Sequence, residues 1–112
     1  MTTRRQGGWK RRGETVITRL RIGHTGLNHN LSRLGEHATG LCINCDKRET
    51  VEHVLLECEA YSTERTILLE QVKELGYTQL SVKGLLSIST SKPSAWQALM
   101  RYLKETGLFD RI

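Results

Sequence analysis

Apolar residues recur at helical intervals in six places along this chain, and glycine, proline and short polar runs separate them. Val16, Ile17 and Leu20 define one side of a first helix that Gly23 and Gly26 break. Leu27, Leu31 and Leu34 define a second, with Gly35 placed to stop it in a left-handed cap. Thr50 is positioned to cap a third, whose apolar side is Val51, Val54 and Leu55 and whose first turn holds Glu52, where a carboxylate suits the helix dipole. Ser62 caps the clearest helix, with Leu68, Leu69, Val72 and Leu75 at helical spacing and Gly76 as its stop. After a connector over 77–80, Ser81 opens a short element carrying Val82, Leu85, Leu86 and Ile88, which the run Ser87 to Pro93 is expected to break. A last helix starts about Ser94, displays Trp96, Leu99, Met100 and Leu103, and ends at Gly107. That Trp/Met stripe reads as core packing. No strand of useful length and no internal repeat is visible, so the fold class is mostly α.

At 112 residues the chain is one small domain or a folded part with a tail, and domains of this size bury only a modest core. Charge divides it unevenly. Residues 1–21 hold Arg4, Arg5, Lys10, Arg11, Arg12, Arg19 and Arg21 against the single acid Glu14, a net of +6, while the rest carries ten bases and eleven acids, a net of −1. The first thirteen residues are rich in Gly and Arg and poor in apolar positions, so they read as a basic arm, disordered or ordered only by a partner, with folding beginning near Glu14. Clustered arginines with Trp9 among them suit phosphate contacts plus stacking on a base. A solvated tail is the plainer reading of the same charges. No apolar run approaches the roughly 20 residues needed to span a bilayer, so the expectation is a soluble, intracellular protein, cytoplasmic or nuclear, that does not engage a membrane.

The chemistry concentrates in Cys42-x2-Cys45-x7-His53-x4-Cys58, which gathers all three cysteines and one of the four histidines. Zinc favours four N and S donors in a tetrahedron, and a Cys3His set is a usual closed structural site, with no open position for a reacting water. Three cysteines cannot all pair as disulfides, and thiols in a reducing compartment more often bind metal. Buried cysteines with an incidental histidine are the remaining alternative. His53 falls on the third helix while Cys58 is five residues on, slightly more than one turn, so the helix has to end or distort there. Structural zinc would lend a short chain the rigidity its core cannot supply. The organisation expected is therefore a basic arm over 1–13, a helical segment and zinc module over 14–61, and C-terminal helices over 62–112 packed on that module.

Two segments carry a family resemblance: Thr18-Arg19-Leu20-Arg21-Ile22-Gly23-His24-Thr25-Gly26-Leu27, and the cysteine-histidine run with Glu49-Thr50 before its histidine and Leu55 before its last cysteine. Over roughly 14–65 the chain resembles the C-terminal tail of polyproteins from LINE-type, non-LTR retrotransposons, which lies after the reverse transcriptase and, in several clades, an RNase H domain. The resemblance implies a zinc-binding, nucleic-acid-associated module with Cys42, Cys45, His53 and Cys58 as ligands. The polymerase palm and the RNase H carboxylates have no counterpart here, so the chain reads as a detached tail or truncated copy.

Two functions are expected from these features. One is a zinc-stabilised accessory module that binds RNA or DNA through Arg4, Arg5, Trp9, Lys10, Arg11, Arg12, Arg19 and Arg21, with Lys47 and Arg48 as further contacts. The other is a structural module that docks on a parent polymerase or another protein. Neither requires catalysis or a small-molecule substrate. His24, His29 and His37 read as solvated loop residues, although His24, inside the Arg-Ile-Gly-His segment, could pack beneath the zinc turn or replace a ligand.

Overall fold

A computed structural model describes residues 2–78 and 81–112, with side chains from Arg11 onward. It is mostly helical, and the described residues contain no strand, only an isolated antiparallel bridge between Leu41 and Arg48. Five α-helices succeed one another: α1 (Thr2–Ile22), α2 (Asn28–Arg33), α3 (Ser62–Glu74), α4 (Val82–Ser91) and α5 (Pro93–Glu105). Between α2 and α3 lie the cysteine loop and a wide turn over His53–Glu57, and after α5 the chain closes with a 3-10 turn over Leu108–Arg111.

The centre of the fold is α5. Ala95, Ala98, Leu99, Met100, Tyr102 and Leu103 are all buried on it, too wide an arc for one partner, and the helix packs against both α3 and α4. Helix α3 brings Leu68 and Val72, α4 brings Leu85 and Leu86, and α1 adds Val16, Ile17 and Leu20 against α4. Leu108, Phe109 and Ile112 fold back into the same core. The stops expected at Gly76 and Gly107 hold, since both take the left-handed backbone that glycine adopts at little cost, at φ +96° and +79°.

Several expectations need correction. Helix α4 does not break at Ser87 but continues to Ser91, and the hydroxyls of Ser89, Thr90 and Ser91 are accommodated in it by turning back to the carbonyls of Leu85, Leu86 and Ser87 at 2.8, 3.1 and 2.9 Å. The break is Lys92, extended at φ −122° and ψ 124° as a residue before proline must be, and Pro93 then opens α5. Ser62 begins α3 without a capping bond from its side chain. At the two ends of α2, Leu27 is buried while Leu34 is 58% exposed, and the short helix between them is tied down by Asn28. Arg11, Arg12 and Gly13, expected in the arm, belong to α1. There a Cβ on Gly13 would stand 2.6 Å from the Trp96 ring, so the glycine lets α1 cross α5 closely. The side chains of Arg4, Arg5, Trp9 and Lys10 fall outside those described.

Candidate metal centre

A tight loop presents the first two cysteines. Leu41 and Arg48 pair across it, the Cys42 amide donates to the Lys47 carbonyl at 2.6 Å, and the Asp46 amide returns to the Cys42 carbonyl at 3.2 Å. Closing so short a loop places Asp46 at φ +57°, a region that aspartate tolerates better than most residues. Ile43, between the two cysteines, projects outward and is 88% exposed.

The second pair arrives on the wide turn. Thr50 caps it as expected, its hydroxyl accepting from the His53 amide at 3.1 Å. From His53 the ladder shifts register, and the Cys58 amide donates to the His53 carbonyl at 2.7 Å, closing a five-residue π turn. An α-helix of about 3.6 residues per turn would carry residues five apart to different sides. The π turn gives His53 and Cys58 a common direction, which is the distortion the H-x4-C spacing demanded. Its carbonyl at Val54 is held from the other half of the molecule by the Tyr102 hydroxyl at 2.5 Å.

The four donors converge. One ligand atom from each of Cys42, Cys45, His53 and Cys58 lies within 4.8 Å of all the others. The Cys58 sulfur stands 3.8 Å from that of Cys42 and 3.6 Å from that of Cys45. A disulfide is far shorter, at about 2.05 Å. A tetrahedral ion with metal–sulfur bonds of about 2.3 Å sets its sulfurs about 3.8 Å apart. His53 is only 2% exposed, and neither ring nitrogen has a hydrogen-bond partner. Buried polar atoms are rarely left so, and a coordinated ion between these donors satisfies one of them. The Glu57 carboxylate approaches Nδ1 to 3.6 Å, too far for a hydrogen bond. The residues therefore fit a metal ion, and lie close enough to hold one. The thiols differ in acidity: the Glu59 backbone N–H holds Cys45 below its usual value, whereas burial pushes Cys58 up to about 12.

Around the donors is a polar frame that sequence reasoning missed. Glu49, buried, accepts the Asn28 amide at 2.7 Å and pairs with both terminal nitrogens of Arg111. This pairing raises the Arg111 guanidinium above its usual range. Asn28 in turn donates to the Leu41 carbonyl at 2.8 Å, and the Gly26 amide donates to the Arg111 carbonyl at 2.7 Å. A Cβ on Gly26 would stand 2.5 Å from that carbonyl oxygen, so the close approach needs glycine. Arg65 donates to the Cys58 carbonyl at 2.6 Å. The Glu49-Thr50 pair was visible as part of a pattern, but nothing local marks Arg111 or Arg65.

The other expected residues disperse. Arg11 is exposed on α1. Arg12 pairs with Asp110 at 3.1 Å and stacks over Phe109, Arg19 donates to the Ile112 carbonyl at 2.8 Å, and Arg21 reaches the Thr90 hydroxyl at 3.3 Å. Three arginines expected at nucleic acid thus bind α1 to the end of the chain and to α4. Lys47 and Arg48 are exposed on the cysteine loop. His24 is exposed and apart from the donor cluster, His29 lines a groove between α1 and α2, and His37 is a loop brace, its Nδ1 accepting the Gly40 and Thr39 amides at 2.9 and 3.3 Å. Among the described residues no helix is long and apolar enough to cross a membrane. Compared with known proteins, the chain matches no family model, no curated protein and no solved structure.

Proposed function

We propose that this chain is a structural zinc module that serves as a nucleic-acid-binding accessory domain without catalysis of its own. The observation that carries the metal reading is the convergence of three sulfurs and one unpartnered, buried imidazole. Thiolate and imidazole donors in tetrahedral array favour zinc over the harder divalent ions, and four protein donors leave no position for a reacting water. The cation's role is then to hold 40–61 in shape. Protein purified without added metal should contain one zinc per chain by elemental analysis, and replacing Cys42, Cys45, His53 or Cys58 by alanine should abolish it, whereas His24→Ala should leave it intact.

Nucleic-acid binding rests on the crowding of seven bases and one acid into residues 1–21. The likeness of Cys42-x2-Cys45-x3-Glu49-Thr50-x2-His53-x-Leu55-x2-Cys58 to non-LTR retrotransposon tails points the same way. With Arg12, Arg19 and Arg21 engaged within the fold, phosphate contacts are assigned to Arg4, Arg5, Lys10 and Arg11, supplemented by Lys47 and Arg48. Changing Arg4, Arg5, Lys10 and Arg11 together to glutamine should weaken single-stranded RNA binding and flatten its salt dependence. An unchanged affinity and salt slope would refute this assignment. A second reading, docking on a polymerase or other protein, draws on the exposed Ile22, Leu34 and Ile43. Under it, Ile43→Asp abolishes capture of the partner and leaves RNA binding untouched.

A further inference from the structure

Arg65 is a cation in the wrong place for its surroundings. It is 9% exposed, and among the described residues it forms no ion pair with a carboxylate. One terminal nitrogen donates to the Cys58 carbonyl at 2.6 Å, the guanidinium also lies beside the Tyr102 hydroxyl, a neutral group, and the buried Nη1 makes no hydrogen bond of standard geometry. An arginine cannot shed its proton to escape burial, so an uncompensated guanidinium here is costly. Yet a compensating charge has a natural source at Cys58, the residue whose carbonyl Arg65 holds. A divalent ion bound by three thiolates and a neutral imidazole carries a net charge of minus one, and Cys58, fully buried, supplies one of those thiolates.

We propose that Arg65 is the charge partner of the loaded metal centre, a positioning residue that raises metal affinity because its fixed positive charge neutralises the excess negative charge of the Cys3His complex. The inference rests on the metal reading above. It also gives the site a preference: a Cys3His set that is net negative when loaded is matched by one buried cation. Arg65 and Cys58 lie out of water while Cys45 is half-exposed, so much of the coupling resists screening by salt. The carbonyl hydrogen bond alone would be a structural contact that any donor of similar length reproduces.

The test separates charge from hydrogen bonding. Cobalt(II) is titrated into the full-length metal-free protein in competition with a chromophoric chelator, for the wild type and for Arg65→Lys, Arg65→Gln and Arg65→Met, at low and high salt. Lysine keeps charge and donor, glutamine keeps a donor only, and methionine keeps neither. The expected result is near wild-type affinity for lysine and a loss of roughly 10- to 100-fold for glutamine, the scale on which outer-sphere groups act on metal sites. Methionine should match glutamine, the loss should persist at high salt, and the cobalt d–d bands of every loaded variant should keep their tetrahedral form. Glutamine binding as tightly as wild type, or lysine as weakly as glutamine, overturns the inference while the metal reading stands. If methionine fails to fold, lysine and glutamine still decide it. Wild-type protein with no thiolate-to-cobalt charge-transfer band overturns both.

Discussion

Between Gly40 and Tyr61 the buried side chains are Cys42, Glu49, His53, Val54, Leu55 and Cys58, so three of the six are candidate metal donors and one is a carboxylate. Between Ser62 and Ile112, among the described residues, they are apolar apart from Arg65, Ser89 and the hydroxyl of Tyr102. One region closes on a few apolar residues, Val54 and Leu55 with Val51, Leu56 and Tyr61 beside them, and on hydrogen bonds around the candidate donors, whereas the other has a continuous core around α5. Burial of apolar surface needs no ion, so 40–61 is the part that a bound ion would stabilise. The two halves meet through Val54 and Leu55, which join the helical core, and through directed contacts: Tyr102 on the Val54 carbonyl, Arg65 on the Cys58 carbonyl and Arg111 on Glu49. The same chain thus offers a region that metal should switch and a region that it should leave alone.

Removing the ion is the strongest way to break this contrast, since structural zinc contributes on the order of 10–16 kcal/mol of apparent binding energy. On chelation, amides over 40–61 should lose their protection in hydrogen exchange while those of α3 and α5 keep most of theirs. Loss of protection throughout would mean that the helices depend on the metal as well. Next in size is Leu99→Ala, which empties a fully buried position at the centre of the helical half and should cost about 2–5 kcal/mol with metal stoichiometry unchanged. Glu49→Gln acts at the seam. The partner side chain Arg111 is 36% exposed, so water recovers part of the lost pairing, and a cost of about 1–3 kcal/mol is expected in denaturant melts. A cycle with Arg111→Met should show the two substitutions to be non-additive. Smallest is Arg12→Ala, which removes an ion pair between side chains 62% and 84% exposed and should shift stability by less than about 1 kcal/mol.

The same division governs what could be read from residues alone. The helices of the C-terminal half were legible because their apolar positions repeat at the helical period, and the donors because Cys42, Cys45, His53 and Cys58 are spaced as zinc ligands are. The need for a distortion between His53 and Cys58 was legible too, from five residues set against a turn of about 3.6. What escaped was non-local or locally ambiguous. The end of α4 looked like a loop because hydroxyl-rich runs usually prefer turns, yet here the hydroxyls bond backward along the helix. Arg111 lies 62 residues from Glu49, and no periodicity announces such a pairing. Arg65 sits in a helix where a charged residue ordinarily faces water. Helical spacing groups Leu34 with Leu27 and Leu31, whereas α2 is held by Asn28 and leaves Leu34 exposed.

The contrast turns on the proposed binding of a metal by three sulfurs and one imidazole in 40–61, and X-ray absorption at the zinc edge of the purified protein reads that shell directly. The prediction is three sulfurs at about 2.3 Å and one nitrogen at about 2.0–2.1 Å. A shell of oxygen and nitrogen only, or no zinc edge at all in protein whose loop over 40–61 is nonetheless ordered, would contradict it.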